Sequence, residues 1–419
     1  MTSNSPKEAY VWIWLPNEIA PVVCGRLEAT AEGVLFNYGT SYLQRLSQNQ
    51  KAMSIYEPEL PLKRGQLPLV GQLKIPGCIR DAAPDSWGRR VIINRTLGVA
   101  GTDVETGDLD ELTYLLESGS DRIGALDFQL SPTEYVPRSA KNVSFDELIA
   151  SAERVEKGIP LTAELDQALF HGSSIGGARP KALVEMKSKK FVAKFPSSTD
   201  LYNMVKAEYL AMRLAALAGI NVAPVRLVKA ANKDVLLIER FDRDKTDRGW
   251  TRKPMVSLLT ILQLDDMTAR YASYEDFAEV IRHRFDSPTN TLREMFSRLV
   301  FNVLCGNTDD HARNHAAFWD GKSLSLTPAY DICPQGRTGN EASQAMKIIG
   351  AENLSQLRTC AKAAANFQLT EKEAHQIFDH IAEIIEQNWD EVCEEAELSE
   401  IEKQQLWRRQ FLNGFSLQR

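Results

Sequence analysis

The chain has 419 residues, 43% of them hydrophobic and 25% charged, with 49 Lys and Arg against 56 Asp and Glu. That length accommodates two or three domains, and the composition is that of a globular protein, not of a fibrous or disordered one. The net charge of −7 argues against a dedicated nucleic-acid binder, and no stretch is apolar for the length a bilayer demands. The start, MTSNSPKEAY, lacks the basic-then-apolar layout of a signal peptide, and six cysteines are scattered without C-x-x-C pairing. Both features fit reduced thiols in a cytoplasmic protein.

Residues 10–38 predict a small sheet, with strand-like runs at Tyr10–Leu15, Val22–Leu27 and Val34–Tyr38 separated by turn residues. D-A-A-P-D-S-W-G-R-R-V-I-I-N, residues 81–94, predicts a helix entered through a Pro-containing turn. Segment 108–138 is mixed, with S-G-S-D-R-I-G-A-L-D-F-Q at its centre. No nucleophile stands beside a base in this region, which reads as a structural or partner-binding module.

Residues 172–181, G-S-S-I-G-G-A-R-P-K, form a glycine-rich turn. Glycines let successive backbone N–H groups approach phosphate oxygens. Gly172 and Gly177 have the G-x4-G spacing of a Walker A loop, but Ala178-Arg179 replaces its Lys-Ser/Thr. The same turn is equally a plain Gly-rich bend. A strand over Phe191–Phe195 carries Lys194, a candidate for the lysine that contacts nucleotide phosphates, the alternative being a surface lysine on an edge strand. After Ser197-Ser198-Thr199-Asp200 the pattern predicts a helix from about Leu201 with an apolar stripe at Val205, Tyr209, Met212 and Ala216, stopping at Gly219. Glu208 on that helix is the candidate acidic partner of Lys194. Strands Val225–Lys229 and Val235–Glu239 follow, and E-R-F-D-R-D, residues 239–244, then opens a largely helical region, clearest over 274–284, 291–305 and 371–388. The acidic stretch Glu391–Glu402 reads as a solvated helix face.

The chemically richest segment is N-T-D-D-H-A-R-N, residues 307–314, followed by P-A-Y-D-I with Asp331. Asp309 and Asn314 have the spacing between the substrate-facing Asp and the metal-binding Asn of kinase catalytic loops. Phosphoryl transfer needs a carboxylate to orient a hydroxyl and hard oxygen ligands to hold Mg²⁺ on nucleotide phosphates. A helix through Leu292, Met295, Phe296, Leu299 and Val303 leads in, Gly306 ends it, and Asp320-Gly321 turns a hairpin beyond. D-x4-N also arises by chance, with Asp310 and Asn314 merely capping turns. His311 and His315 stand four apart, but they lack the Glu of H-E-x-x-H and a third ligand nearby, which speaks against zinc.

Taken together, the segments resemble the HipA family of bacterial serine/threonine protein kinases, the toxins of type II toxin–antitoxin modules. V-W-I-W-L-P, D-S-W-G-R-R and G-A-L-D-F resemble its N-terminal subdomain, S-I-G-G-A-R-P-K its phosphate loop, E-R-F-D-R its hinge, and N-T-D-D-H-A-R-N with Y-D-I its catalytic core. The resemblance implies an α+β, protein-kinase-like two-lobed fold. Its parts are an N-terminal β-rich subdomain (1–135), an N-lobe with the phosphate loop (136–240) and a helical C-lobe (241–419). It implies ATP and Mg²⁺ as cofactors, Asp309 as catalytic base, and Asn314 and Asp331 as metal ligands. Ser174, Gly176, Gly177, Lys181, Lys194, Glu239 and Phe241 would contact ATP. Ser174, or its neighbour Ser173, would be the loop serine phosphorylated as an off-switch. The A-R-P-K of this loop departs from the Gln-Glu pair that precedes the Lys in well-known members, which leaves Arg179 without an inherited role.

The implied biology is growth arrest by phosphorylating a cytosolic protein, such as an aminoacyl-tRNA synthetase. A small helix-turn-helix antitoxin would neutralise the kinase, and operator DNA would be reached through that partner. Two other readings stay open at this point: a small-molecule kinase of the same fold, and a catalytically silent co-repressor acting with a DNA-binding antitoxin.

Overall fold

The structure is a computed structural model that describes residues 6–97, 109–139, 143–161, 174, 177–337 and 339–419. The chain forms two compact units. One comprises Met1–Thr199, Val228–Val256 and Phe318–Lys322, the other Asp200–Leu227, Ser257–Ala317 and Ser323–Arg419. The strands that follow the glycine-rich turn thus group with the N-terminal sheet, and the helix after them groups with the C-terminal helices.

The first unit begins with β1 (Glu8–Ile13), β2 (Val22–Ala29), β3 (Val34–Tyr38), α1 (Thr40–Ser47) and β4 (Gln66–Leu67). It continues with α2 (Gly77–Arg80), α3 (Ser86–Leu97), α4 (Glu111–Glu117), β5 (Leu126–Gln129) and α5 (Phe145–Glu156). Antiparallel pairing orders the first sheet β4-β3-β2-β1-β5. Two motifs far apart in sequence become neighbours there, because Ile13 of V-W-I-W pairs with Leu126 of G-A-L-D-F.

A second sheet follows, built from β6 (Lys181–Met186), β7 (Lys189–Lys194), β8 (Val225–Ala230) and β9 (Lys233–Glu239) in the order β6-β7-β9-β8. Ala231 and Asn232, both at positive φ, make the two-residue turn between β8 and β9. Side-chain alternation sends Ala182, Phe191, Ala193, Phe195, Val235 and Leu237 into one core with Trp87 and Val91 of α3 and Leu148, Ile149 and Val155 of α5. The residues between them, Lys181 and Lys194, therefore take the other face.

One expectation fails after Phe241. In place of the onset of helix, β10 (Arg243–Thr246) and β11 (Gly249–Arg252) form an antiparallel hairpin. Asp247-Arg248 supplies the turn, with Gly249 just beyond it at φ +146, a signal outweighed in the sequence by the dense charge of the strands.

In the second unit, α6 (Met204–Leu217) is capped by Asn203, whose side chain accepts from the Lys206 N–H, and not by the Ser-Ser-Thr-Asp run. Its burial extends nearly all round, from Val205 through Ala215, while Ala216 is exposed, so the predicted single stripe is too narrow. Later helices are α7 (Leu258–Ile261), α8 (Tyr274–Arg284), α9 (Pro288–Cys305), α10 (Leu357–Ala363), α11 (Glu371–Glu395) and α12 (Glu400–Leu406). Glu395 at the end of α11 is not simply solvated: it pairs with Arg213 at 2.9 Å and accepts from Tyr209 at 3.0 Å, fastening α6. Among the described residues no helix is long and apolar enough to cross a membrane.

Candidate active site

The acidic cluster sits at the end of α9. Pro288 opens that helix, where its missing N–H costs nothing, and Gly306 ends it at φ +76. A side chain at 306 would also meet the Gln410 carbonyl oxygen at 2.8 Å, so glycine is required twice over. The chain then turns through Asn307–Asp310 into a short 3-10 turn at Ala312–Asn314. The loop is tied down on several sides: Gln335 N–H donates to Gly306 O at 2.9 Å, Ala345 N–H to Thr308 O at 3.0 Å, and Tyr330 Oη to Arg313 O at 2.8 Å.

Asp309 and Asp310 are adjacent but live in different surroundings. Asp310 is 2% exposed; it accepts from the buried Tyr274 hydroxyl and lies 3.0 Å from His315 Nε2. Burial opposes its charge, yet His315 and these hydrogen bonds hold its carboxyl below the usual range. It is an anchor. Asp309 is exposed. Partial desolvation of its carboxyl raises its pKa, the anions Asp331 and Asp310 add to the rise, and His311 opposes it. Asp331 and Asp309 are thus near enough to feel each other, although they stand 22 positions apart in the sequence.

Asn314 is held inward, its Nδ2 donating to the Asp309 carbonyl at 3.3 Å. That bond commits the amide nitrogen and leaves Oδ1 as the atom offered to a cation. Asp331 has φ +59, a left-handed conformation that a non-glycine residue keeps only when its surroundings impose it. Two hard oxygen ligands beside an exposed carboxylate fit a Mg²⁺ that draws its remaining ligands from phosphates and water.

The first unit carries the basic cluster. Lys181 and Lys194 lie directly opposite each other on β6 and β7, at 4% and 6% exposure. Strand β7 is flanked on both sides, which removes the edge-strand reading of Lys194. Two buried ammonium groups on one sheet face concentrate positive charge where phosphates would be welcome. Gly177 has φ +96, and a Cβ there would overlap Lys181 Nζ. Ser174 is 2% exposed, with Oγ 3.5 Å from the Asp121 carbonyl. Gly176 and Ser173 lie outside the described residues. Arg179 is half-buried. Glu208 is buried in α6 of the second unit. Glu239 pairs its carboxylate with Lys189 at 2.6 Å. Phe241 packs edge-on against Phe318, with centroids 5.9 Å apart.

Two features escaped the sequence reading. E-R-F-D-R is a buried charge hub. Arg240 and Arg243 both bind Asp242 at 2.8 Å and Asp121 at 3.1 and 3.0 Å, while Asp242 accepts the Gly124 N–H at 2.8 Å. Its alternation of acids and bases was the available signal. The second is α3, which the sequence leaves as a structural or partner-binding element and which contacts the glycine loop.

The family profile described as the HipA-like C-terminal domain matches residues 173–389, and the HipA N-terminal domain matches 17–129. A protein named as an inferred kinase from Sinorhizobium fredii is 29% identical over 147 residues, 34% of this chain and 33% of its own length. The serine/threonine-protein kinase toxin HipA of Shewanella oneidensis is 25% identical over 183 residues, 38% of this chain and 42% of its own. These matches span well under two thirds of either relative. A chain from the solved Shewanella oneidensis complex of HipA, HipB and operator DNA has the same fold, with a TM-score of 0.71 and 20% identity over 97% of this chain and 99% of that one. With the C-terminal profile covering just over half of its residues and the N-terminal profile preceding it, this α+β, kinase-like chain belongs to the HipA family.

Proposed function

We propose that the chain is a Mg·ATP-dependent serine/threonine protein kinase, the toxin of a toxin–antitoxin module. The observation that carries this reading is the exposed Asp309 carboxylate beside Asp331, with Asn314 held by the same loop. Asp309 would take the proton of the attacking hydroxyl, and Asn314 and Asp331 would hold Mg²⁺, which would neutralise charge on the transferring phosphoryl group. Lys181 and Lys194 would bind the other phosphates, and the main chain around Glu239 and Phe241 would meet adenine. Similarity to the Shewanella complex supports a HipB-like antitoxin as partner, with operator DNA bound through it. The target would be a cytosolic protein.

Ser174 would be the residue that the kinase modifies on itself, Ser173 its alternative. A hydroxyl that is 2% exposed accepts a phosphoryl group only after it leaves that buried position, so Ser174 would be modified in another arrangement than the one described. With labelled ATP and Mg²⁺, label is expected on Ser174 or Ser173 by peptide mapping. Lys194→Met is expected to weaken Mg·ATP binding by roughly ten- to a hundredfold in calorimetry, the range for losing one charge-assisted contact. Neither labelling nor Mg·ATP binding by the wild-type chain would leave the silent co-repressor reading in its place.

A further inference from the structure

The helix opened by P-D-S-W-G-R-R has no part in the reading above, yet it grips the glycine loop by both main-chain groups of Gly177. Asp85 Oδ2 accepts the Gly177 N–H at 3.0 Å, and the Trp87 N–H donates to the Gly177 carbonyl at 3.0 Å. The Trp87 indole Nε1 donates to the Lys181 carbonyl at 3.1 Å, and Arg90 donates to the Ala178 carbonyl. Trp87 itself is wholly buried, in the core shared by α5 and the second sheet. It cannot shift without opening that core. The loop backbone at Gly177 lies so close to Lys181 Nζ that a side chain there would displace the ammonium, and its φ of +96 favours glycine besides.

We propose that Asp85 and Trp87 are positioning residues for nucleotide binding, holding the Gly177 end of the glycine loop beside Lys181 before ATP arrives. The inference rests on the kinase reading. A glycine-rich segment has more backbone conformers to lose than any other, and a ligand that must order it binds more weakly by that cost. Asp85 and Trp87 remove the cost in advance. Their loss should therefore appear in the KM for ATP, while kcat at saturating ATP, which is set by Asp309, stays put. The N-terminal module is on this account part of the nucleotide site and not only a platform for a partner.

Asp85 also lies at the head of α3, where its Oδ1 accepts the Ser86 N–H at 2.9 Å, so the test separates capping from clamping. Asp85→Ala is expected to raise the KM for ATP about tenfold, the size of one charge-assisted hydrogen bond, with kcat within twofold and the melting temperature nearly unchanged. Asp85→Ser keeps a capping oxygen but has none left to reach Gly177, and should behave like Asp85→Ala. Asp85→Asn keeps a single neutral acceptor oxygen, which meets the Gly177 N–H only by giving up the Ser86 contact, and should restore part of the affinity that Asp85→Ala loses. Trp87→Phe keeps the ring and loses only the indole donor, so it should raise KM without unfolding the protein. An unchanged KM in Asp85→Ala, with wild type binding Mg·ATP normally, overturns the clamp and leaves the kinase reading intact. So does a parallel fall in kcat, affinity and melting temperature across the Asp85 and Trp87 variants. Failure of the wild-type chain to bind Mg·ATP sinks both.

Discussion

Asp309→Asn is expected to lower phosphate transfer to protein or to itself by roughly three orders of magnitude, the middle of the range for removing a positioned general base. The substitution keeps the shape of the side chain and the Asn314-to-Asp309 main-chain bond, so Mg·ATP affinity should change by no more than a few-fold. The expected pH behaviour follows from the same surroundings. Partial desolvation, then Asp331 and Asp310, raise the Asp309 pKa over the opposing pull of His311. A base acts when deprotonated, so kcat/KM should fall on acidification at a pH above the ordinary aspartate value, and the Asn variant should lose that limb. Transfer by Asp309→Asn within threefold of wild type would show that the proton is taken elsewhere. The immediate neighbour is not a substitute: Asp310 is buried and committed to Tyr274 and His315.

The acidic cluster was legible because its chemistry lies in one short segment and its flanks obey local rules. Gly306 does adopt the left-handed cap predicted for it, and the strands around Asp320-Gly321 form where the turn signal put them, as Ala316–Trp319 and Leu324–Leu326. Lys194 stood out as a charge among Phe191, Ala193 and Phe195, and the two-residue period of the strand then places it opposite the core with Lys181. What the sequence could not show were relations without a local signature. Asp85 meets Gly177 across 92 positions, and Asp121 meets Arg240 and Arg243 across about 120. E-R-F-D-R was read as a hinge presenting its main chain, or equally as a packed strand end, with no role for its charges; here their mutual pairing makes burial possible. The β10–β11 hairpin was lost because its strands are charged where a strand pattern would be apolar.

The hub around Asp242 yields the largest expected change in stability. Asp242 is 2% exposed, bound by Arg240 and Arg243 and by the Gly124 N–H. Burial works against its charge, but the two guanidiniums overcome it and hold its pKa at about 2. Burial and the nearby Arg240 also push Arg243 down to about 9, the mark of positive charge already crowded. Asp242→Ala leaves both guanidiniums buried with their main counter-ion gone, and should cost about 3–5 kcal/mol in urea unfolding. Glu239→Gln, which breaks the more exposed pair with Lys189, should cost under about 1 kcal/mol and serves as the control. Because the folded pKa of Asp242 lies below its unfolded value, its contribution is fully present above about pH 4 and is lost as pH falls toward 2, roughly 2 kcal/mol in all. The Ala variant should therefore be less stable at neutral pH and should lose less on going from pH 5 to pH 2 than wild type does. Equal acid sensitivity in the two proteins would mean that the hub is not where the fold spends its buried charge, and that E-R-F-D-R holds its shape by backbone pairing to β7 alone.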